Sequence, residues 1–140
     1  MYLLDTDTLT HLHAGNTNVV QQLGNLADPR VGTTIVTKIE LLRGRSDHFL
    51  KASTTADCLR AQERLLRTEE LLAQIVVVPF SDAAARHFDR LRVLRGVKRI
   101  GRADLLVASI ALAHRAILVT RNVRHFRQVP NLVVVNWVDP

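Results

Sequence analysis

The sequence predicts a single α/β domain in which a central parallel sheet is flanked by helices. Three observations carry that expectation. Short apolar runs alternate with helical patterns along the whole chain, the order that crossovers between parallel strands require. Ile75 to Pro79 is a continuous apolar run of strand length, as in a strand buried on both faces of such a sheet. Arg102 to Ala113 is apolar at nearly every position, so its helix has little solvent face and belongs in the interior.

Each element follows from local signals. Tyr2-Leu3-Leu4 followed at once by Asp5-Thr6-Asp7-Thr8 reads as a short buried strand ending where a helix begins. Ligands of open α/β sheets bind outside the C-terminal ends of the strands, which makes Asp5 the first candidate site residue. The alternative is that Asp7 or Thr8 caps the helix and Asp5 merely ends the strand. Asp7 to His13 and Thr17 to Gly24 are short helices, and His11 and His13 lack the i, i+4 spacing with which one helix offers two imidazoles to a metal. Asp28-Pro29-Arg30 is a turn, Val31 to Ile35 a second strand, and Val36 to about Gly44 a helix. Glu40 in that helix lies either on a solvated stripe with Lys38 and Arg43 or at the same strand edge as Asp5; the pattern alone favours the stripe.

From Phe49 to Gln74 the pattern is helical, with a break near Thr54-Thr55 and with Leu59, Leu65, Leu66 and Leu72 on an apolar side. A helix of that length either continues the core or protrudes toward a partner chain. After the strand at Ile75 to Pro79, Ser81-Asp82 caps a helix that runs to Gly96, and Val97 to Gly101 is a basic loop. The apolar helix from Arg102 follows. Its one acid, Asp104, sits in the first turn, where it either complements the helix dipole or is delivered to a strand edge. Ala116 to Thr120 is a fourth strand, Val123 to Phe126 a turn of helix and Leu132 to Asn136 the last strand, with Trp137 closing the core.

Composition narrows the classes. A chain of 140 residues buries enough surface as one domain to need no disulfide or structural metal. Its single Cys58 suits a reducing cytoplasm and is expected half-buried on a helix. The longest apolar runs fall far short of the roughly 20 residues of a membrane span, and the N-terminus lacks the basic and apolar regions of a signal peptide, so a soluble, unexported protein is expected. Lys and Arg number 19 against 13 acids, and 16 of the 19 are Arg. Guanidinium forks grip phosphate and carboxylate bidentately, which favours a polyanionic partner or an acidic protein chain. Aromatic residues are too few for a base-stacking platform.

Asp5, Glu40 and Asp104 share one situation, each beside the end of a strand or the start of the buried helix. With parallel strands all three converge on one edge. Carboxylates so gathered repel unless a cation neutralises them, and hard oxygen donors suit Mg²⁺ or Mn²⁺. Such an ion lowers the pKa of water and stabilises a leaving oxygen, so hydrolysis of a nucleic-acid backbone is the expected chemistry.

Leu3-Leu4-Asp5-Thr6, Val36 to Gly44, Ile100 to Ala108 and Leu118 to Phe126, with Val129-Pro130 and Asn136-Trp137, resemble in order the successive signatures of PIN-domain ribonucleases. The nearest resemblance is to the VapC toxins of bacterial toxin–antitoxin pairs, and it covers essentially the whole chain. It implies a PIN-like fold and an endoribonuclease dependent on Mg²⁺ or Mn²⁺, with the matching Asp5, Glu40 and Asp104 as metal ligands. It also implies a homodimer silenced by a VapB-type antitoxin, whose tail occupies the site, and structured RNA as substrate, chiefly tRNA. Many relatives carry a fourth acid after the fourth strand, where this chain has Asn122 and His125. Asn122 would then ligate through its carbonyl or hold a water, and Asp7, where relatives commonly have Asn, would partly compensate. Thr6, Thr8 and Thr120 are candidate hydroxyls for holding Asp5. Lys38, Arg43, Arg99, Arg102, Arg121 and Arg124 are candidate RNA contacts.

Two other readings stay open at this level. Asp5-Thr6-Asp7-Thr8-Leu9 after an apolar strand also resembles the first motif of haloacid-dehalogenase-type phosphatases, which would use Asp5 as nucleophile, Asp7 as acid and base, and one of Lys38, Lys51 or Lys98. Alternatively the domain binds RNA or a partner with weak catalysis, in which case Arg99, Arg102, Arg121, Arg124 and Arg127 carry the function.

Overall fold

The computed structural model describes residues 1–27 and 30–140; the turn expected at Asp28-Pro29-Arg30 lies largely outside them. Five parallel strands form one sheet: β1 (Tyr2–Leu4), β2 (Val31–Thr34), β3 (Val76–Val78), β4 (Ile117–Val119) and β5 (Val133–Val135), in the order β3-β2-β1-β4-β5. The chain steps outward from β1 through β2 to β3, then returns to the other side of β1 to lay down β4 and β5. The direction of winding therefore reverses beside β1, which opens a crevice at the C-terminal ends of β1 and β4.

Period-2 alternation decides which residues face which helices. Leu3 pairs with Leu118 and Leu4 with Val119. Leu3 and Leu118 belong to the side covered by α5 (Asp82–Leu91) and α6 (Arg102–Ala113), where Ile110, Ala111, Leu105 and Ala108 are buried. Leu4 and Val119 belong to the opposite side, packed with Leu9 of α1 (Thr6–His13), Val19 of α2 (Thr17–Gly24), Leu41 of α3 (Ile35–Leu50), Leu72 of α4 (Thr55–Gln74) and Trp137. Trp137 is buried against Tyr2, with ring centroids 5.3 Å apart, and so closes the core as expected. α6 buries six of its twelve residues and occupies the interior.

Several boundaries differ from expectation. β3 is an edge strand, with Val76 55% exposed, not a strand buried on both faces. A continuous apolar run marks a strand but does not say whether a neighbour lies on each side. α3 continues past Gly44 to Leu50, because a lone glycine costs a helix only about 1 kcal/mol. α5 ends at Leu91, leaving Val93 and Leu94 exposed, and a 3₁₀ turn at Arg95–Val97 buries Val97 and Ile100. The segment expected as a basic loop is thus pinned by two apolar anchors. The break between α3 and α4 falls at 51–54, and Thr54 caps α4 through the Asp57 N–H. Ala61, Thr68 and Leu72 form the buried seam of α4, whereas Leu59 and Leu66 point outward, 67% and 52% exposed. Cys58 is half-buried on α4. No helix among the described residues is long and apolar enough to cross a membrane.

Candidate active site

β1 ends by handing its last carboxylate to the crevice. Asp5 has extended backbone angles and caps α1, its Oδ1 accepting from the Thr8 N–H at 2.9 Å. The strand-end and capping readings thus meet in one residue, and neither Asp7 nor Thr8 is the cap. The Asp5 N–H donates to the Val119 carbonyl at 3.1 Å, which fixes the start of α1 beside the end of β4. Thr8, fully buried, donates its hydroxyl to the same carbonyl at 3.1 Å. Burial pushes the Asp5 carboxyl above the usual carboxylate range; hydrogen bonds from the Thr120 hydroxyl and the Thr8 N–H pull against that rise, and the charge of Asp7 adds to it. Of the three hydroxyls expected at Asp5, that of Thr120 reaches it, whereas Thr8 holds Asp5 through its N–H and gives its hydroxyl to Val119.

Thr6 has a different partner. Its hydroxyl donates to Glu40 Oε1 at 2.9 Å, joining the first turn of α1 to the second turn of α3. Thr34 starts α3 by capping the Thr37 N–H at 3.2 Å, so Glu40 lies only six residues beyond the end of β2. Glu40 is solvent-exposed and faces the crevice at the same time; the two placements weighed from sequence are not exclusive. Asp104 comes from the first turn of α6, and His125 Nε2 of α7 (Val123–Phe126) stands 3.1 Å from its Oδ2.

These side chains line one cleft of about 220 Å³, walled by Asp5, Thr6, Asp7, Thr37, Glu40, Asp104, Asn122 and Phe126. No lysine or arginine lines it. Asn122 reaches it from the N-terminus of α7; its N–H donates to Thr120 Oγ1 at 3.0 Å, and its side chain makes no capping bond. The lysine that the phosphatase reading requires is not delivered: Lys38 lines a crevice between α3 and α4 with Glu69 and Leu72, while Lys51 and Lys98 are exposed. Among the candidate RNA contacts, Arg43, Arg99 and Arg124 are exposed. Arg102 lies over the Phe88 ring, and Arg121 is committed to Asp139 through two hydrogen bonds of 3.1 and 3.2 Å. The hydrogen bond from the Asn136 amide, with that contact beside it, holds the Asp139 carboxyl below its usual range.

The donor set is one of hard oxygens. Among the described residues, no three of the acids and imidazoles cluster tightly enough to hold an ion by direct bonds as they stand. That spacing still suits Mg²⁺, which keeps several of its own waters and takes one or two carboxylates directly. The sequence marks His125 only by its place after the fourth strand, whereas the structure sets its Nε2 3.1 Å from Asp104 Oδ2.

A PIN-domain family model matches residues 2–132. The chain belongs to the PIN-domain family. As a PIN domain it is 32% identical over 80 residues to ribonuclease VapC2 of Rickettsia felis, an alignment covering 56% of this chain and 60% of that relative. It is 22% identical over 138 residues to the tRNA(fMet)-specific endonuclease VapC of Salmonella typhimurium, covering 97% of each chain. The crystal structure of VapBC2 from Rickettsia felis, bound to a DNA fragment from its promoter, superposes on this PIN domain with a TM-score of 0.78 and 28% identity, covering 97% of this chain and 98% of that one. The α/β architecture with a central parallel sheet is therefore the one this family uses.

Proposed function

We propose that this PIN domain is a metal-dependent endoribonuclease that hydrolyses phosphodiester bonds of structured RNA, tRNA foremost, as the toxin of a VapBC-type pair. The observation that carries the reading is the cleft itself. Asp5, Glu40 and Asp104 reach it from three different elements, and no basic side chain lines it to balance their charge. Carboxylates that share one cleft with no lysine or arginine favour a cation between them. Mg²⁺ or Mn²⁺ held by Asp5, Asp104 and Glu40, with Asp7 and Asn122 at the margin, would supply Lewis acidity toward a phosphoryl oxygen and a more acidic water.

The chain's own groups then have separate tasks. Thr8 and Thr120 fix the Asp5 carboxylate, Thr6 fixes Glu40, and His125 fixes Asp104, so the three acids are aimed before substrate arrives. Phe126 gives the cleft an apolar wall. The tRNA preference is supported by the name of the Salmonella typhimurium relative, and a VapB-type antitoxin partner by the VapBC complexes among the similar structures. A homodimer is supported by the exposed Leu50, Leu59 and Leu66 along α3 and α4. The absence of a membrane-length helix among the described residues is compatible with a cytoplasmic site of action.

The deciding experiment incubates the purified protein with total tRNA in Mg²⁺, in Mn²⁺ and in EDTA, for wild type, Asp5→Asn, Asp104→Asn and Asp7→Asn. Cleavage confined to the metal-containing reactions, abolished by the first two substitutions and largely retained in the third, is the expected result. Binding of tRNA without cleavage under every condition would instead leave an RNA-binding module.

A further inference from the structure

A second pocket, of about 270 Å³, lies where the C-terminal half of α1 meets the middle of α3 and α4. Its walls are Thr10, His13, Ala14, Arg45, Arg64 and Arg67. Three guanidinium groups and an imidazole surround it, and no acid lines it. Arg45 is half-buried, and its Nε donates to the hydroxyl of the buried Thr68 at 3.1 Å, which fixes the guanidinium at the wall. Arg67 has a loose ion pair with the exposed Glu63 at 3.8 Å, and no carboxylate lies within salt-bridge distance of Arg45 or Arg64 among the described residues. Arg45 and Arg64 are thus held near each other with only the loose Glu63 partner of Arg67 to offset the group's charge. The proton affinities register the strain: burial lowers the His13 pKa, and Arg67, Arg45 and Arg64 lower it further; Arg45 is lowered by burial and by Arg64.

The position of the pocket indicates its occupant. α1 and α3 also supply Thr6 and Glu40 to the acid cleft, where the two helices are tied together. From Thr6 to His13 is about 10 Å along α1, and from Glu40 to Arg45 about 7.5 Å along α3, at roughly 1.5 Å per residue. A stacked nucleic-acid strand rises roughly 3.4 Å per nucleotide, so the offset corresponds to about two to three nucleotides. Without a cation the acid cleft repels a polyanion, so affinity in that state has to come from elsewhere on the surface. We propose that the Arg45–Arg64–Arg67–His13 pocket binds the RNA backbone, holding a phosphate two to three nucleotides from the bond cut in the acid cleft. Guanidinium forks match a phosphate bidentately, and Arg45 is already held in place by Thr68. This inference rests on the ribonuclease reading for the identity of the strand, and its test is built on binding so that the two stand or fall separately.

Equilibrium binding of total tRNA is measured in EDTA, where no cleavage is expected, across a salt series for wild type, Arg64→Gln, Arg45→Gln and the double variant. Each removed phosphate contact lowers the slope of log K against log salt by roughly 0.9, so the double variant should lose between one and two units of slope and about tenfold in affinity at moderate salt. Arg64→Gln is an exposed change and keeps the proposal testable if Arg45→Gln fails to fold. Oligoglutamate of matched charge serves as the carboxylate probe. Unchanged tRNA affinity and slope in folded variants would overturn the proposal, as would intact tRNA binding together with lost oligoglutamate binding, which would mark a site for an acidic protein segment. A wild type that binds tRNA through this pocket but never cuts would sink the nuclease reading and leave the pocket standing.

Discussion

His125 Nε2 stands 3.1 Å from Asp104 Oδ2 and ties α7 to the first turn of α6 across 21 residues of chain. Among the described residues His125 is the one side-chain partner of Asp104, 43% of whose side chain is accessible, so the imidazole decides which way the carboxylate points. With Nε2 protonated the ring donates to Asp104, and the edge-to-face contact with Phe126 keeps the ring in place. His125→Ala should lower the rate of RNA cleavage by about tenfold, the lower end of what loss of a group that orients a ligand costs. His125→Gln, which can still donate, should recover most of it. Equal rates for wild type and His125→Ala, measured with tRNA in excess Mg²⁺, would show that Asp104 needs no such support.

Thr6 and Glu40 form the complementary pair on the other wall, hydroxyl to carboxylate at 2.9 Å. Both are accessible to water, so the bond contributes little to folding. Thr6→Val should leave the melting temperature within a degree or two while reducing cleavage several-fold, and Thr6→Ser should restore it. A loss of stability equal to the loss of activity would assign Thr6 a packing role instead.

These two pairs also mark how far the sequence could be read. The strand at Tyr2–Leu4, the buried helix from Arg102 and the positions of Asp5 and Asp104 are legible because each rests on local pattern: an apolar run, an unbroken apolar helix, a lone carboxylate at an element's end. Contacts between elements were not legible in the same way. Nothing in the spacing of Asp104 and His125 places one on the other, and Glu40 read as a solvated residue because helical periodicity does not show that α1 lays Thr6 beside it. The same limit explains β3, whose three valines are alike in sequence although the sheet edge leaves Val76 exposed and Val78 buried. Spacing puts Leu59 and Leu66 on the apolar side of α4, but the residues buried there are Ala61, Thr68 and Leu72.

Gly32 sets the spacing of β2 and β3. A Cβ built there would lie 2.4 Å from the Val76 carbonyl oxygen and 3.1 Å from Val76 Cβ, and a strand backbone cannot yield as a flexible side chain does. Gly32→Ala should therefore destabilise the protein by about 1–3 kcal/mol. Gly44→Ala meets nothing within 4 Å in the middle of α3 and should stabilise by about 0.5–1 kcal/mol. Urea unfolding of the two variants beside wild type tests both signs at once, and a neutral Gly32→Ala would mean that the β2–β3 spacing is soft.

His13 gives the fold a pH dependence whose sign follows from its burial and its arginine neighbours. Its folded pKa lies below the ordinary 6.5, chiefly through burial, with Arg67 and Arg64 of α4 and Arg45 of α3 adding repulsion. The unfolded chain therefore binds a proton more readily, and stability contributed at this position is complete above pH 6.5 and is lost as the pH falls through 6.5 toward the lower folded value. His13→Gln removes that loss, so the stability of wild type relative to the variant should decline between pH 7 and pH 5. An anion in the pocket would reverse part of the effect by offsetting the three guanidinium charges. Adding inorganic phosphate should flatten the wild-type curve and raise the His13→Gln curve without changing its slope, because the three arginines remain; parallel curves for the two proteins without phosphate would show that the fold does not lower the His13 pKa.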